Sequence, residues 1–132
     1  MKIFDETLAR LEDALDVRMV RHNVLAGNLA NADTPGFVAR DVDFARAMAE
    51  AASPAPAGET ATGHIPLGGG AIAARPVAVG AAGGSPGADG NTVDADRTLV
   101  ALAENGLQYG AAAKTAAKKL GILRYVASDG AA

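Results

Sequence analysis

The chain contains no cysteine, which excludes a disulfide framework and thiolate metal sites and removes any redox argument about its compartment. Aromatic residues make up only 4% of the 132 positions, so the large side chains that dominate burial are scarce. Apolar content still reaches 49%, much of it alanine. A chain of this length is one domain at most, and an extensive self-contained core is not expected of it. Positive charge is not in excess: the net charge is −3. Phosphate binding needs a clustered basic face, so no nucleic-acid partner is expected. No run approaches the roughly 18 apolar residues of a membrane span. Asp5, Glu6, Arg10, Glu12 and Asp13 stand where the apolar segment of a secretory signal would lie, so no cleaved signal is expected.

Residues for chemistry are equally few. The two histidines are His22, which falls on a helical stripe, and His64, which has only Glu59 near it in sequence. A metal site usually needs three or four ligands. His22 reads as a core or interface histidine. Asp41 and Asp43 are spaced like strand neighbours, but paired carboxylates without a pocket do no acid-base work, and hydrogen bonding near a turn suits them better. Gly68-Gly69-Gly70 is not a phosphate loop, because no Lys-Ser/Thr follows it. The expectation is a protein with no catalytic residue, no cofactor, no metal and no small-molecule substrate.

What the chain does have is two long helical patterns. From Phe4 to about Asn31, a spacing of four and three picks out Phe4, Leu8, Leu11, Leu15, Arg18, His22, Leu25 and Leu29, the seam of an amphipathic helix. Val17, Val20 and Val24 form a second stripe, so this helix needs cover on more than one side. The second pattern follows Gly90-Asn91, a turn signal, with Thr92 or Asp94 placed to cap a helix. Leu99, Leu102, Gly106, Tyr109, Ala113, Ala116, Leu120, Leu123 and Ala127 then repeat the alternation with every position apolar or small. The middle of that seam lacks bulk, which lets helix axes approach closely. Lys114, Lys118, Lys119 and Arg124 gather toward its C-terminal end, where they suit the helix dipole and stand as a solvated face or as partners for acids of the first helix.

Between the helices the chain changes twice. Asn31-Ala32-Asp33-Thr34-Pro35-Gly36-Phe37 stops the first helix: Thr34 is pushed out of the helical region by the proline after it, Pro35 presets the second position of a turn, and Gly36 can take the positive φ of a type II turn. Asn28 and Asn31, three apart, share a face at the helix end. Phe37 to Phe44 reads as an extended arm, and Phe44 to Glu50 has good formers for two helical turns. From 51 to 90, twelve alanines, ten glycines and five prolines leave five large aliphatics, too few to offset the ordering entropy. This segment is read as a linker or loose loop, with Ile72 to Val79 as its one candidate strand.

The Asn28-x-Ala30-Asn31-x-x-Thr34-Pro35-Gly36-Phe37 segment, continued by Ala39-Arg40-Asp41-x-Asp43-Phe44, closely resembles the N-terminal motif of bacterial flagellar rod and hook proteins, most of all the proximal rod type. A second match follows in Asp89-Gly90-Asn91-Thr92-Val93-Asp94, Ala103-Glu104-Asn105-x-Leu107-x-Tyr109 and Lys118-Lys119-Leu120-Gly121. About two-thirds of the chain is covered, and the middle third is not. The resemblance implies a structural subunit of the rod that transmits torque, exported through the flagellar type III apparatus without a cleaved signal and placed in the periplasmic part of the basal body. It implies self-association and, as partners, other rod proteins, the rod–ring adaptor and the inner-membrane ring or export gate. It also implies that Asn28, Asn31, Thr34, Pro35 and Gly36 join the terminal helix to the rest of the subunit.

The reading is therefore a mainly α protein, with two long terminal helices in an antiparallel coiled-coil-like pair and a Gly/Ala/Pro-rich middle that has room for a short β segment. The segments are 1–33, an N-terminal core helix; 34–50, the turn and arm; 51–90, the linker; and 91–132, a C-terminal core helix. Assembly is expected to use Asn28, Asn31, Thr34, Pro35, Gly36 and Phe37 at the turn. The packing seam is expected at Leu8, Leu11, Leu15, Leu25, Leu29, Leu99, Leu102, Gly106, Tyr109, Ala113, Ala116, Leu120 and Leu123. The alternative is a soluble helical-hairpin adaptor or export chaperone that holds a partner helix in a groove. Self-association separates the two: an adaptor folds as a cooperative monomer or dimer, whereas a rod subunit completes its helices on assembly.

Overall fold

A computed structural model describes residues 6–52 and 86–128. The candidate strand at Ile72 to Val79, the histidine at position 64 and most of the 51–90 segment lie outside the described residues, as does Phe4. Three helices form in the order α1 (Glu6–Ala30), α2 (Phe44–Ala52) and α3 (Ala95–Ala127), with no strand among the described residues.

Each helix begins and ends where side-chain chemistry dictates. α1 runs for 25 residues, about 37 Å at 1.5 Å per residue, and tightens at its end. There Asn31 N–H donates to the Asn28 carbonyl at 3.0 Å and Ala32 N–H to the Leu29 carbonyl at 3.2 Å. α2 is opened by Asp43, whose Oδ1 accepts from Arg46 N–H at 3.0 Å. α3 is opened by Asp94, in extended conformation with its Oδ1 accepting from Arg97 N–H at 3.0 Å. Both aspartates satisfy donors that a first helical turn leaves unpaired. α3 closes on Ser128, whose N–H reaches the Arg124 carbonyl at 3.0 Å.

α1 packs against both other helices, as its two stripes require. Contacts between Arg18 and Asn105, and between Asn31 and Asn91, run in opposite directions along the chain, so α1 and α3 are antiparallel. The second stripe of α1 meets α2 and the arm before it. Val17 is fully buried, with Val42 and Ala47, and Val20, Val24, Phe44 and Met48 close around them. The core is thus small and lies beside the middle of α1, as the shortage of aromatics anticipates.

Candidate functional site

The polar residues that sequence reading singled out at the end of α1 converge with a segment about sixty residues away. Thr34-Pro35-Gly36-Phe37 forms the turn: Phe37 N–H donates to the Thr34 carbonyl at 3.2 Å, and Gly36 sits at φ +71°. A Cβ at Gly36 would meet nothing within 4 Å, so glycine is required there for its backbone conformation and not for space. Gly36 N–H in turn donates to the Asp89 carbonyl at 3.0 Å, and Thr92 N–H to the Phe37 carbonyl at 3.0 Å. The Thr92 hydroxyl accepts from Ala39 N–H at 2.8 Å. The turn and the Asp89–Asp94 segment therefore lie along each other.

Asn91 closes this junction. It is buried, and its Nδ2 lies 3.0, 2.7 and 2.9 Å from the carbonyl oxygens of Asn31, Ala32 and Thr34, while its Oδ1 accepts from Val93 N–H at 2.7 Å. Carbonyls at a helix C-terminus have no partner within the helix, and here another part of the chain supplies one. Gly90, at φ +76°, makes the bend that aims Asn91 inward.

Asn28 and Asn31 divide their work. Buried Asn28 grips the main chain of the arm from both sides, its Nδ2 donating to the Arg40 carbonyl at 2.5 Å and its Oδ1 accepting from Arg40 N–H at 3.0 Å. Asn31 stays local, with Nδ2 on the Gly27 carbonyl at 2.8 Å and Oδ1 accepting from the Thr34 hydroxyl at 3.2 Å. Beyond Arg40, Asp41 takes both arms of the Arg21 guanidinium at 2.8 Å and also accepts from Val42 N–H at 2.7 Å. The side-chain hydrogen bond to Asp41 raises the Arg21 pKa above its ordinary value, against the pull of burial. The helix-to-arm angle is held at two points, Arg21 and Asn28, about two turns of α1 apart.

Along the seam, Leu25 is buried, Leu8, Leu11, Leu15 and Leu29 are half-buried, and His22 is exposed. On α3, Leu102, Tyr109, Ala113, Ala116 and Leu123 are half-buried, whereas Leu99, Gly106 and Leu120 are exposed. Their places are taken by the residues just before: Thr98 and Asn105 are buried and Lys119 is half-buried. The face of α3 turned to α1 is thus one residue off the line that apolar spacing picks out. Asn105 donates from Nδ2 to the Arg18 carbonyl at 2.9 Å. The Arg18 side chain hydrogen-bonds Gln108 of α3 and lies 4.4 Å from the centre of the Phe44 ring of α2, a cation–π contact. Burial lowers the Arg18 pKa, with neighbouring Arg21 adding to the effect. Arg18 touches all three helices.

Sequence reading set Arg18 on the α1 seam, and met Asn105 within a family motif and Asn91 in a turn signal and that same match, without assigning any of the three a contact. Their signals were a charge and an amide on helical lines otherwise filled by apolar or small residues. No cluster of three or more metal-ligating side chains occurs among the described residues, and no described helix is long and apolar enough to cross a membrane.

Here polar side chains fix main-chain geometry and a helix pair leaves apolar surface outward, which is the construction of a structural helical subunit. A model of the flagella basal body rod protein family matches residues 8–37, the stretch from the α1 seam through the turn. The chain belongs to the FlgB family of flagellar basal body rod proteins. It is 41% identical over 115 residues to flagellar basal body rod protein FlgB of Escherichia coli (strain K12), covering 80% of both chains. To the protein of the same description from Salmonella typhimurium it is 39% identical over 115 residues, again with 80% of each chain covered. To that of Cereibacter sphaeroides it is 39% identical over 106 residues, covering 80% of this chain and 81% of the relative.

Proposed function

We propose that this chain is a structural subunit of the flagellar proximal rod, joined to its neighbours through the terminal helices and transmitting torque without catalysing a reaction. Family membership implies assembly with other basal body components. The finer reading is self-association next to other rod proteins, the rod–ring adaptor and the inner-membrane ring or export gate, in the periplasmic part of the rod, after export without a cleaved signal. The turn residues Asn28, Asn31, Thr34, Pro35, Gly36 and Phe37 serve by fixing the angle at which the arm leaves α1. The seam leucines of α1 and the small residues of α3 serve by close packing.

The observation that carries this reading is the outward face of α3. Leu107 is 77% exposed and Val100 68%, and Leu99, Leu120, Ile122, Tyr125 and Val126 are all about half exposed or more. Scattered surface leucines are ordinary, but seven large apolar side chains on one helix form surface that neighbours must cover. Contacts of that kind between unlike faces propagate as a helix or tube. The adaptor alternative gains nothing from the relatives named above, whose descriptions are of rod proteins.

Sedimentation and circular dichroism of the purified chain test this. The expected result is helicity and mass that both rise with concentration, or on adding partner rod proteins. A sharply melting monomer at every concentration, with both terminal helices fully protected from hydrogen exchange, overturns it.

A further inference from the structure

Two heptad lines compete for the inward face of α3. They share Leu102, Tyr109, Ala116 and Leu123, and differ in what alternates with these: Thr98, Asn105, Ala112 and Lys119 on one line, Leu99, Gly106, Ala113 and Leu120 on the other. Successive residues lie about 100° apart around a helix, so a rotation of less than that exchanges the lines. Burial of apolar area alone favours the second, because it holds two leucines where the first holds a threonine and a lysine, and a glycine where the first holds an asparagine. The protein adopts the first. Asn105 is 1% exposed and Leu99 50%.

Asn105, buried on the inward line, makes a directed contact with α1. Its Nδ2 donates to the Arg18 carbonyl at 2.9 Å, while its Oδ1 is buried with no hydrogen-bond partner. An unpaired buried acceptor is a cost, so this side chain is not there for stability. Buried amides in helix seams are best attested as devices that select one arrangement over near-equal rivals. Asn91, in the segment that leads into α3, likewise donates from a buried amide to main-chain carbonyls, those of Asn31, Ala32 and Thr34.

We propose that Asn105 is a positioning residue that sets which face of α3 meets α1, and so holds the Leu99, Gly106 and Leu120 line outward for a helix of a second copy of this chain. The part concerning the second copy rests on the function proposed above. The rotational setting does not, and is testable in the isolated chain.

The chain has no cysteine, so single cysteines report face by face. One is placed at Gly106, where a Cβ meets nothing within 4 Å, and one at half-buried Ala112. Thiol labelling of each full-length chain, at concentrations where it sediments as a monomer, is compared with and without Asn105→Ala and Asn105→Thr. Alanine is the best helix former, and threonine already occupies the same line one heptad earlier as buried Thr98. With Asn105 present, the cysteine at 106 reacts several times faster than that at 112. In a helical variant lacking the amide, the rates converge or invert. An unchanged ratio in a variant of normal helicity overturns the proposal, and so does loss of helicity in both variants, since a residue that only sets orientation is not needed to form the helix. If the ratio changes as expected while neither parent nor variant self-associates, the rotational role stands and the second-copy reading falls.

Discussion

Replacing Asn91 tests the junction most directly, because one buried side chain there serves main-chain groups on both sides of a contact spanning some sixty residues. Asn91→Ala removes the donor shared among the Asn31, Ala32 and Thr34 carbonyls and the acceptor used by Val93 N–H. Two of those carbonyls keep a second partner, since Asn31 O also accepts from Thr34 N–H and Thr34 O from Phe37 N–H. The full loss therefore falls on Ala32 O and Val93 N–H. At about 1–3 kcal/mol for each buried group left unpaired, reduced by partial access of water, the expected cost is about 2–4 kcal/mol. With a urea slope of about 1–3 kcal/mol per molar, the unfolding midpoint read by circular dichroism should fall by roughly 1–2 M. Asn91→Asp sharpens the test. It preserves the acceptor for Val93 N–H but aims a carboxylate at three carbonyl oxygens, so at neutral pH it should cost more than alanine. Acidification should return part of that loss, because a carboxyl protonated in the folded state regains a donor; the folded form then binds more protons than the unfolded one, and stability rises as pH falls. An aspartate variant that unfolds with the wild-type chain, or an alanine variant that costs under about 0.5 kcal/mol, refutes this account of the junction.

Other perturbations follow from the same geometry. Gly36→Val places a β-branched residue at φ +71°, a left-handed conformation that costs about 1–2 kcal/mol for an ordinary residue; rod assembly and motility should fail with expression intact, and full motility refutes the turn assignment. Ala113→Leu or Ala116→Leu should overpack the small middle of α3 by about 1–3 kcal/mol, so normal rods in both variants remove the close-packing role. Asp41→Asn breaks a half-buried two-point ion pair with Arg21 and should lower thermal stability measurably, whereas Glu50→Gln breaks the exposed pair with Arg46 and should stay within about 0.5 kcal/mol. Equal effects of the last two would contradict the difference in burial.

Sequence carried the helices and the turn well because each has local chemistry. The proline and glycine after Thr34 end α1 near the residue expected, Asp94 opens α3, and α2 begins at Phe44. The Val17, Val20 and Val24 stripe correctly demanded a second cover for α1, which α2 and the arm provide. The facing line on α3 was less legible. A template that scores apolar residues at four-and-three spacing prefers Leu99 and Leu120, and has no way to reward a buried asparagine whose value is one carbonyl on another helix. Asn91 and Arg18 were hidden for the same reason: the partners of Asn91 are distant main chain and those of Arg18 are side chains on two other helices, and local periodicity holds no record of either.

The two ends of the 53–85 segment are each fastened on their own. On one side α2 is held to the middle of α1 through Ala47, and on the other the Asp89–Asn91 stretch is tied to the turn by Gly36 and Asn91. Ala52 and Pro86 thus each stand beside an anchor built from residues of the helical frame. A fluorophore or affinity tag introduced between these anchors should therefore leave α1, α2 and α3 in place, and loss of helicity in such a chain would contradict that.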